Sequence, residues 1–315
     1  MKKQITIICI IALFLFVGLT GCFGEEGKKT IVIQELIDAA FPEDTINIPV
    51  GIYYEHITID KPINLIGEDK NNTIIESDWI NDTVYVCANN VTISEFTIKN
   101  GLIGVHLSSC HNTTITNNII SNNADLNKYV DLTGIQLKLP LWPTVAGIYL
   151  RESKGNLIHN NIIIDNVGSS IVLCLNSDSN YISDNIITNN SHGIYSYSSC
   201  SNTITNNNIS RNTYYGIIAL EDSENNRVFN NNLLGNTQNA YDECNNTWDN
   251  LIMEMNGTQY VKGNYWSDYE KQYPNAVQSP IIDIDGNEYV IWRLQYNITG
   301  GNNKDRYPLV NPVDI

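Results

Sequence analysis

Short alternations of apolar and polar residues recur along the middle of the chain at a nearly constant spacing. The first alternation is Val91–Ile98, and the starts of the next five follow at intervals of 22, 43, 24, 22 and 24 residues. Alternation with a period of two predicts strands, and repetition at a fixed period predicts a solenoid. The later segments are Thr113–Ile120, Asn156–Ile163, Asn180–Ile187, Asn202–Ile209 and Asn226–Leu233.

Each repeat contains a second predicted strand after a turn rich in Asn, Ser and Gly. The density of Asn and the period of two both argue against helices. We therefore predict an all-β fold, a single-stranded parallel β-helix with about 22 residues per turn, over residues 30–250. The one long interval predicts an insertion at residues 124–145. The second strands begin at Gly104, Gly147, Ser170, Gly193 and Gly216.

One position of the repeat is Asn in five successive turns. A polar binding stripe is one interpretation of this column. Stacked amides, however, hydrogen-bond their neighbours and satisfy the turn backbone, and buried amides need such partners. We therefore interpret the column as a structural ladder, formed by Asn118, Asn161, Asn185, Asn207 and Asn231.

The N-terminus has the pattern of an export signal. Lys2 and Lys3 precede the apolar run Ile7–Val17, which is short for a membrane span. The ending Leu19–Cys22 resembles the lipobox of prokaryotic lipoproteins, which implies that residues 1–21 are removed and that Cys22 is lipidated. An ordinary signal peptide and an uncleaved anchor are the alternatives. Residues 22–29 would then be a linker, and the protein would sit on the outer face of the cytoplasmic membrane or cell envelope.

Charge and cysteine content narrow the function further. The net charge of -16 provides no basic patch for phosphates, so we expect no nucleic-acid partner. No CxxC pair occurs, which argues against structural zinc and a dense disulfide framework. We expect a monomer. We also expect most sequons of the form Asn-x-Ser/Thr to arise by composition, with glycosylation at a few exposed sites left open. Their asparagines are Asn71, Asn81, Asn90, Asn112, Asn189, Asn208, Asn245, Asn256 and Asn297.

Both ends of the coil resemble those of known proteins. The amphipathic segment Gln34–Ala40, before the first predicted strands, resembles the capping helix of right-handed pectin-lyase-like β-helices. The segments Gly263–Tyr269 and Asp305–Val310 resemble those of the NosD-like family, which is named for a periplasmic copper-binding protein and includes many surface-associated members. The resemblance implies a right-handed coil that residues 251–315 close with an aromatic cap.

Metal binding finds little support in the residue types. Copper sites use clustered His, Cys or Met, and the five histidines form no His-x-His motif. His106 and His111 flank one turn, but surface hydrogen bonding is the favoured interpretation. Calcium at Asp283–Glu288 is a second hypothesis, although the spacing departs from the usual calcium loop and favours a polar hairpin turn. We predict no cofactor.

Catalysis by a lyase or hydrolase would require suitably spaced carboxylates. Glu152 and Glu221 occupy equivalent places after their strands, but three turns separate them, or about 14 Å. Glycosidase carboxyls lie about 5 to 9.5 Å apart, so this pair makes a poor dyad. Ser191–Gly193 resembles the Gly-His-Gly of polygalacturonases only weakly, and the paired Asp residues of that family have no counterpart.

The outward face of the second strand is the predicted ligand site. Tyr rings with polar tips suit sugars. The insertion at residues 124–145 directly precedes the second strand that carries Tyr149. Packing of strand-favouring Tyr residues between turns is the structural alternative. The predicted ligand-binding residues are His106, Trp142, Tyr149, Arg151, Tyr195 and Tyr197.

These features predict a non-catalytic surface lipoprotein that binds envelope or extracellular carbohydrate. One alternative is a polysaccharide lyase or glycoside hydrolase of the pectin-lyase-like superfamily. A second alternative, implied by the family resemblance, is an accessory protein for the maturation of a copper enzyme.

Overall fold

The computed structural model describes residues 31–125, 127–128, 133, 145–255, 258–282 and 288–315. Its main body is a coil of about eight turns, in which each turn passes through three parallel sheets. We call one turn a rung. The predicted right-handed parallel β-helix is confirmed. Residues 1–30, most of the insertion at 124–145, and residues 283–287 lie outside the described residues.

The strands of each sheet recur at every third position along the coil, except that β27 closes the second sheet after β23. The first sheet contains β1 (Thr45–Ile48), β4 (Asn64–Gly67), β7 (Thr92–Ser94), β10 (Thr114–Thr116), β13 (Leu157–His159), β16 (Tyr181–Ser183), β19 (Thr203–Thr205) and β22 (Arg227–Phe229). The second contains β2 (Gly51–Tyr54), β5 (Thr73–Glu76), β8 (Thr97–Lys99), β11 (Ile119–Ser121), β14 (Ile162–Ile164), β17 (Ile186–Thr188), β20 (Asn208–Ser210), β23 (Asn232–Leu234) and β27 (Tyr265–Trp266). The third contains β3 (Ile57–Ile59), β6 (Val84–Val86), β9 (Val105–Ser108), β12 (Ala146–Arg151), β15 (Ser169–Cys174), β18 (Ile194–Tyr197), β21 (Tyr215–Leu220) and β24 (Gln238–Asp242).

Aliphatic columns fill the interior of the coil. Ile98, Ile120, Ile163, Ile187 and Ile209 lie on successive strands of the second sheet, and each is fully buried. Comparable columns come from the other two sheets. Because alternate residues of a strand face opposite sides, three-residue strands place one such side chain in the core. The core is therefore a stack of thin apolar layers that depends on its neighbours above and below.

Three ladders of buried asparagines run along the coil, each at one of the bends between successive strands of a rung. Asn185 shows the pattern: its backbone N–H and its Nδ2 both donate to Oδ1 of Asn207, and Nδ2 also donates to the carbonyl of Ile158. Its own Oδ1 accepts the backbone N–H and Nδ2 of Asn161. The first ladder is Asn118, Asn161, Asn185, Asn207, Asn231 and Asn264; the second is Asn123, Asn166, Asn190, Asn212 and Asn236; the third is Asn156, Asn180, Asn202, Asn226 and Asn246.

A short helix covers the first rung. Helix α1 (Ile33–Ala39) lies within one residue of the predicted capping helix and buries Ile33 and Ile37 completely. The Glu55 carboxylate accepts the backbone N–H groups of Ile33 and Gln34 at 2.8 and 3.0 Å. The helix therefore shields the apolar end of the coil. Its free N-terminal N–H groups hold it to Glu55, the residue that follows β2.

The other end is closed by an aromatic cap. Helix α2 (Tyr269–Gln272) and three hairpins form this region, and the rings of Trp266 and Tyr296 stack at 3.9 Å between centroids. Gly263 is required because a Cβ there would lie 2.1 Å from the Tyr307 carbonyl oxygen. The hairpins are β25 (Asn250–Met255) with β26 (Thr258–Lys262), β28 (Gln278–Ile282) with β29 (Glu288–Trp292), and β30 (Tyr296–Asn297) with β31 (Lys304–Asp305).

Asp305 links the aromatic cap to the end of the first ladder. Its Oδ2 accepts the backbone N–H of Asn264 at 2.7 Å and Nε1 of Trp266 at 2.8 Å, while Oδ1 accepts the N–H of Tyr307. Burial raises the pKa of Asp305 to about 7, against the opposing effect of these donors. The signature residues of Gly263–Tyr269 and Asp305–Val310 therefore close the coil.

We predict that Asn185→Leu lowers the free energy of unfolding by about 3 kcal/mol, since several buried donors and acceptors lose their partner. Denaturant unfolding measures this change. Asn245→Leu is the matched control, because Asn245 is an exposed turn residue; we expect a change within about 0.5 kcal/mol. Equal effects of the two substitutions would contradict a stabilising ladder.

Candidate functional site

The outer face of the third sheet carries a continuous column of aromatic and aliphatic side chains. Strand register stacks Tyr85, His106, Tyr149, Val172, Tyr195, Ile218 and Tyr241 in this order. These residues alternate with inward-facing ones. Tyr149, Val172, Tyr195 and Ile218 belong to a hydrophobic cluster separate from the core, and Tyr241 packs against it. We call this column, together with Tyr197, His192, Tyr214 and Tyr215 beside it, the aromatic face.

The upper half of the aromatic face centres on His106. Its ring meets those of Tyr85 and Tyr149 edge to face, with both centroid distances at 5.1 Å. Nδ1 of His106 lies 2.7 Å from Oδ2 of Asp82, while Nε2 is buried and has no hydrogen-bond partner within the described part of the chain. Asp82 thus fixes the orientation of an imidazole held between two rings.

Tyr149 belongs to the same half and is largely covered. Burial raises the pKa of Tyr149, and a hydrogen bond with Cys174 adds to this rise. The phenol therefore stays neutral and provides packing area rather than charge.

The lower half of the aromatic face centres on His192, just before β18. Its ring lies parallel to those of Tyr214 and Tyr215, at 5.3 and 5.8 Å between centroids, and meets Tyr195 edge to face at 5.8 Å. Burial lowers the pKa of His192 to about 4, so the imidazole is neutral at pH 7. Tyr215 in turn meets Tyr241 at 5.8 Å. The result is a packed group of rings at the surface.

Charged groups border these rings. The Arg151 side chain is exposed, and its Nε lies 3.6 Å from Oε1 of Glu152. On the lower rungs, the Glu243 carboxylate accepts the backbone N–H of Glu221 at 3.2 Å. The upper half of the aromatic face is therefore bordered by the Arg151 cation and the Glu152 carboxylate. The lower half is bordered by the carboxylates of Glu221 and Glu243.

The structure brings the predicted ligand residues onto one face but covers several of them. Tyr149 and Tyr195 are only 7% and 8% exposed, because Val172, Cys174 and Ile218 pack around them. Tyr197 is half-buried and Arg151 is exposed. The expectation that the rings of Tyr149 and Tyr195 stand open is therefore corrected: they are packing residues. Trp142 lies outside the described residues.

Sequence reasoning missed the rings that do reach the surface. Tyr214 is 51% exposed, and Tyr215 and Tyr241 are half-buried. Tyr241 was detectable, because it continues the column of Tyr195 and Ile218 by one more rung. Tyr215 lies two residues before the inward-facing Ile217, so alternation would direct it toward the core. Its ring instead packs against the outer cluster and stacks on His192.

Other candidate sites remain dispersed. Glu152 and Glu221 lie three rungs apart, because Arg151, Cys174, Tyr197 and Leu220 are register partners in sequence. Within the residues that the structure describes, no three His, Cys, Asp or Glu side chains come close enough to hold a metal ion. Asp283–Asn287, the proposed calcium segment, lies outside those residues.

Comparisons with known proteins agree with the predicted family resemblance. Residues 142–271 match the family model described as periplasmic copper-binding protein (NosD), which confirms the resemblance over the later rungs and Gly263–Tyr269. A cell surface glycoprotein of Methanothermus fervidus is 28% identical over an alignment of 184 residues that covers 51% of this chain. The chain spans 30% of the length of that relative.

Solved structures give more distant likenesses. An alginate lyase from Paenibacillus sp. has 14% identity and a TM-score of 0.45, with 68% of this chain and 91% of that chain covered. The pectate lyase Pel9A has 13% identity and a TM-score of 0.46, with 73% and 68% covered. At this distance the likenesses carry no argument about function. No helix among the described residues has the length and apolarity to cross a membrane.

We predict a pH-dependent role for His192. Its folded-state pKa of about 4 lies below the unfolded value near 6.5, so its neutral ring stabilises the fold fully above pH 6.5 and progressively less as the pH falls toward 4. The stability advantage of the native chain over His192→Gln should therefore shrink by about 2 kcal/mol from pH 7 to pH 5. Denaturant unfolding of both proteins at the two pH values measures the difference between their free energies of unfolding. Contributions of the other titrating groups are common to both proteins and cancel in this difference. An unchanged difference would contradict the exclusion of a charged imidazole.

Proposed function

We propose that this protein is a lipid-anchored, extracytoplasmic β-helix that binds neutral carbohydrate through the lower half of the aromatic face, without cleaving it. The observation that carries the proposal is the group of rings around Tyr214. This ring is 51% exposed and lies parallel to His192, while Tyr215 and Tyr241 continue the surface beside it. Exposed rings held rigid by neighbours suit the apolar faces of sugars.

The rigidity of this surface favours binding. Tyr215 stands on β21 and Tyr241 on β24, which pair in register within the third sheet. His192 and Tyr195 support the rings from beneath. A ligand would therefore meet a surface whose side chains are already ordered, which reduces the entropy cost of association.

Charge argues for a neutral ligand. The protein carries a net charge of -16, and Glu221 and Glu243 border the lower rings. An acidic polysaccharide would meet like charges on approach, which slows and weakens association. A hydroxyl-rich neutral glycan meets hydrogen-bond acceptors instead.

The spacing of Glu152 and Glu221 supports binding rather than cleavage. Glycoside hydrolysis with two carboxyl groups requires them about 5 to 9.5 Å apart across the substrate. Glu152 and Glu221 are separated by three rungs, or about 14 Å at the usual strand spacing. The aromatic face therefore supports recognition and offers this pair no joint role in catalysis.

The location rests on two further observations. The relative from Methanothermus fervidus is a cell surface glycoprotein, and the matching family is named for a periplasmic protein. Lys2, Lys3 and the segment Leu19–Cys22 have the export and lipobox pattern. We place the mature protein on the outer face of the cytoplasmic membrane, with Cys22 carrying the lipid.

We predict that Tyr214→Ala weakens glycan binding about tenfold, or about 1.4 kcal/mol, because a stacking ring is lost. A glycan array identifies a neutral ligand, and isothermal titration measures its affinity. Tyr54→Ala is the matched control, since Tyr54 is 74% exposed on the second sheet. Equal affinities of the native chain and Tyr214→Ala would contradict the site. Release of reducing ends from the bound glycan would contradict the absence of cleavage.

We predict that Cys22→Ala releases the protein from the membrane fraction, because the sulfur that carries the lipid is removed. Fractionation followed by mass spectrometry of the mature N-terminus measures the result. Cys87→Ala is the control, since Cys87 is an exposed cysteine of the coil. An unmodified Cys22 in the native protein would contradict the anchor and leave the carbohydrate site untouched.

A further inference from the structure

The sequons form a set of asparagines distinct from the ladders. Every ladder asparagine is followed two residues later by something other than Ser or Thr, as in Asn185 with Ile187 and Asn246 with Trp248. The acceptor asparagines of the sequons therefore lie outside the ladder positions. Apart from Asn208, those within the described residues start in turns or at the C-terminal cap.

Asn90, Asn112 and Asn245 share a position in the turn that leads from the third sheet to the first. Asn90 donates its backbone N–H to His111, next to Asn112, and Asn245 accepts the N–H of Asn225. All three asparagines are exposed, and the middle residue of each sequon is buried. Since alternate residues face the same side, the amide and the following hydroxyl emerge together at the surface. The hydroxyl residues are Thr92, Thr114 and Thr247.

Asn297 repeats this arrangement in the aromatic cap. Asn297 and Thr299 are exposed on either side of the buried Ile298, and the Thr299 hydroxyl donates to the Ala240 carbonyl at 2.8 Å. Among the described residues, the side-chain amides of Asn297 and of the three turn asparagines make no hydrogen bond. The amides of Asn71 and Asn81, by contrast, donate to Asp69 and Asp78 at 3.1 and 3.2 Å.

The remaining described sequons lack a reachable hydroxyl or an open amide. Thr73 and Thr83, which complete the sequons of Asn71 and Asn81, are fully buried. Ser191, which completes the sequon of Asn189, is also buried. Asn208 lies within β20 of the second sheet and is half-buried. The fold therefore divides the described sequons into two groups, according to whether the asparagine is exposed with an unbonded amide and the Ser or Thr that completes the sequon is not buried.

We infer that the folded chain is N-glycosylated at Asn90, Asn112, Asn245 and Asn297. The donor class is an oligosaccharide linked to a polyprenyl phosphate. The bond between Asn Nδ2 and the sugar C1 forms, the bond from C1 to the phosphate oxygen breaks, the lipid phosphate leaves with the electron pair, and the amide nitrogen loses one proton. The inference rests on the extracytoplasmic location proposed above, because glycosylation of Asn-x-Ser/Thr is a modification of exported protein surfaces.

The chain supplies its own matched control. Asn225 is exposed in the same turn column, with a left-handed φ of 59° like the 57° and 56° of Asn90 and Asn112, but Arg227 follows two residues later. Its peptide should carry no glycan. Thr114→Val and Thr247→Val remove the hydroxyls of two threonines that are not buried, so modification should be lost at Asn112 and Asn245 while unfolding is little changed.

The test is glycopeptide mass spectrometry of the full chain purified from its own host, combined with digestion of intact cells by added protease. Glycans on the four named asparagines, with Asn71, Asn81, Asn189 and Asn225 unmodified, support the inference. Protease-accessible protein with no glycan at the four sites overturns it and leaves the proposed location standing. Protein that the protease cannot reach, also without glycan, overturns both. Equal modification of Asn71 and Asn81 overturns the selection by exposure.

Discussion

Hydrogen bonding between buried asparagines of successive rungs holds this coil together. Most strands of the first two sheets contain only three residues, too few to fix a register by backbone pairing alone. Each ladder amide closes the turn below it and accepts from the turn above, as Asn185 does between Asn161 and Asn207. The same contact thus satisfies buried polar groups and aligns the aliphatic core columns. The aromatic face exists only because this alignment places its rings one above another.

The ladders also have a direction, and each end needs its own solution. At the start, Asn118 accepts the backbone N–H of Phe96 at 3.0 Å, where no earlier asparagine is available. At the finish, Asn264 donates to the Asp305 carboxylate, which takes the place that the amide oxygen of a further rung would fill. A carboxylate only accepts hydrogen bonds, so it stops the pattern there. The burial that this position requires is also what raises the pKa of Asp305.

Repetition made much of this architecture predictable. The burial of the outer rings and the closure of the coil by the aromatic cap were not predictable. Period and alternation locate the strands and the first ladder, because each is a local pattern, and the resemblance to known β-helices locates the capping helix. The second and third ladders were overlooked although Asn166, Asn190 and Asn212 recur at the same spacing. Alternation gives the outward direction of Tyr195 but not the neighbours that bury it. Asp305 meets Trp266 across 39 residues, and no periodic signal connects them.

The similarity of every rung interface has an evolutionary consequence. Because each turn from Asn156 to Asn231 offers its successor nearly the same donors, acceptors and apolar layer, a rung can be duplicated or deleted without redesign of its neighbours. The height of such a coil is then quantised in steps of about 4.8 Å. Homologues can differ in the number of rings along the outer surface while both caps remain unchanged.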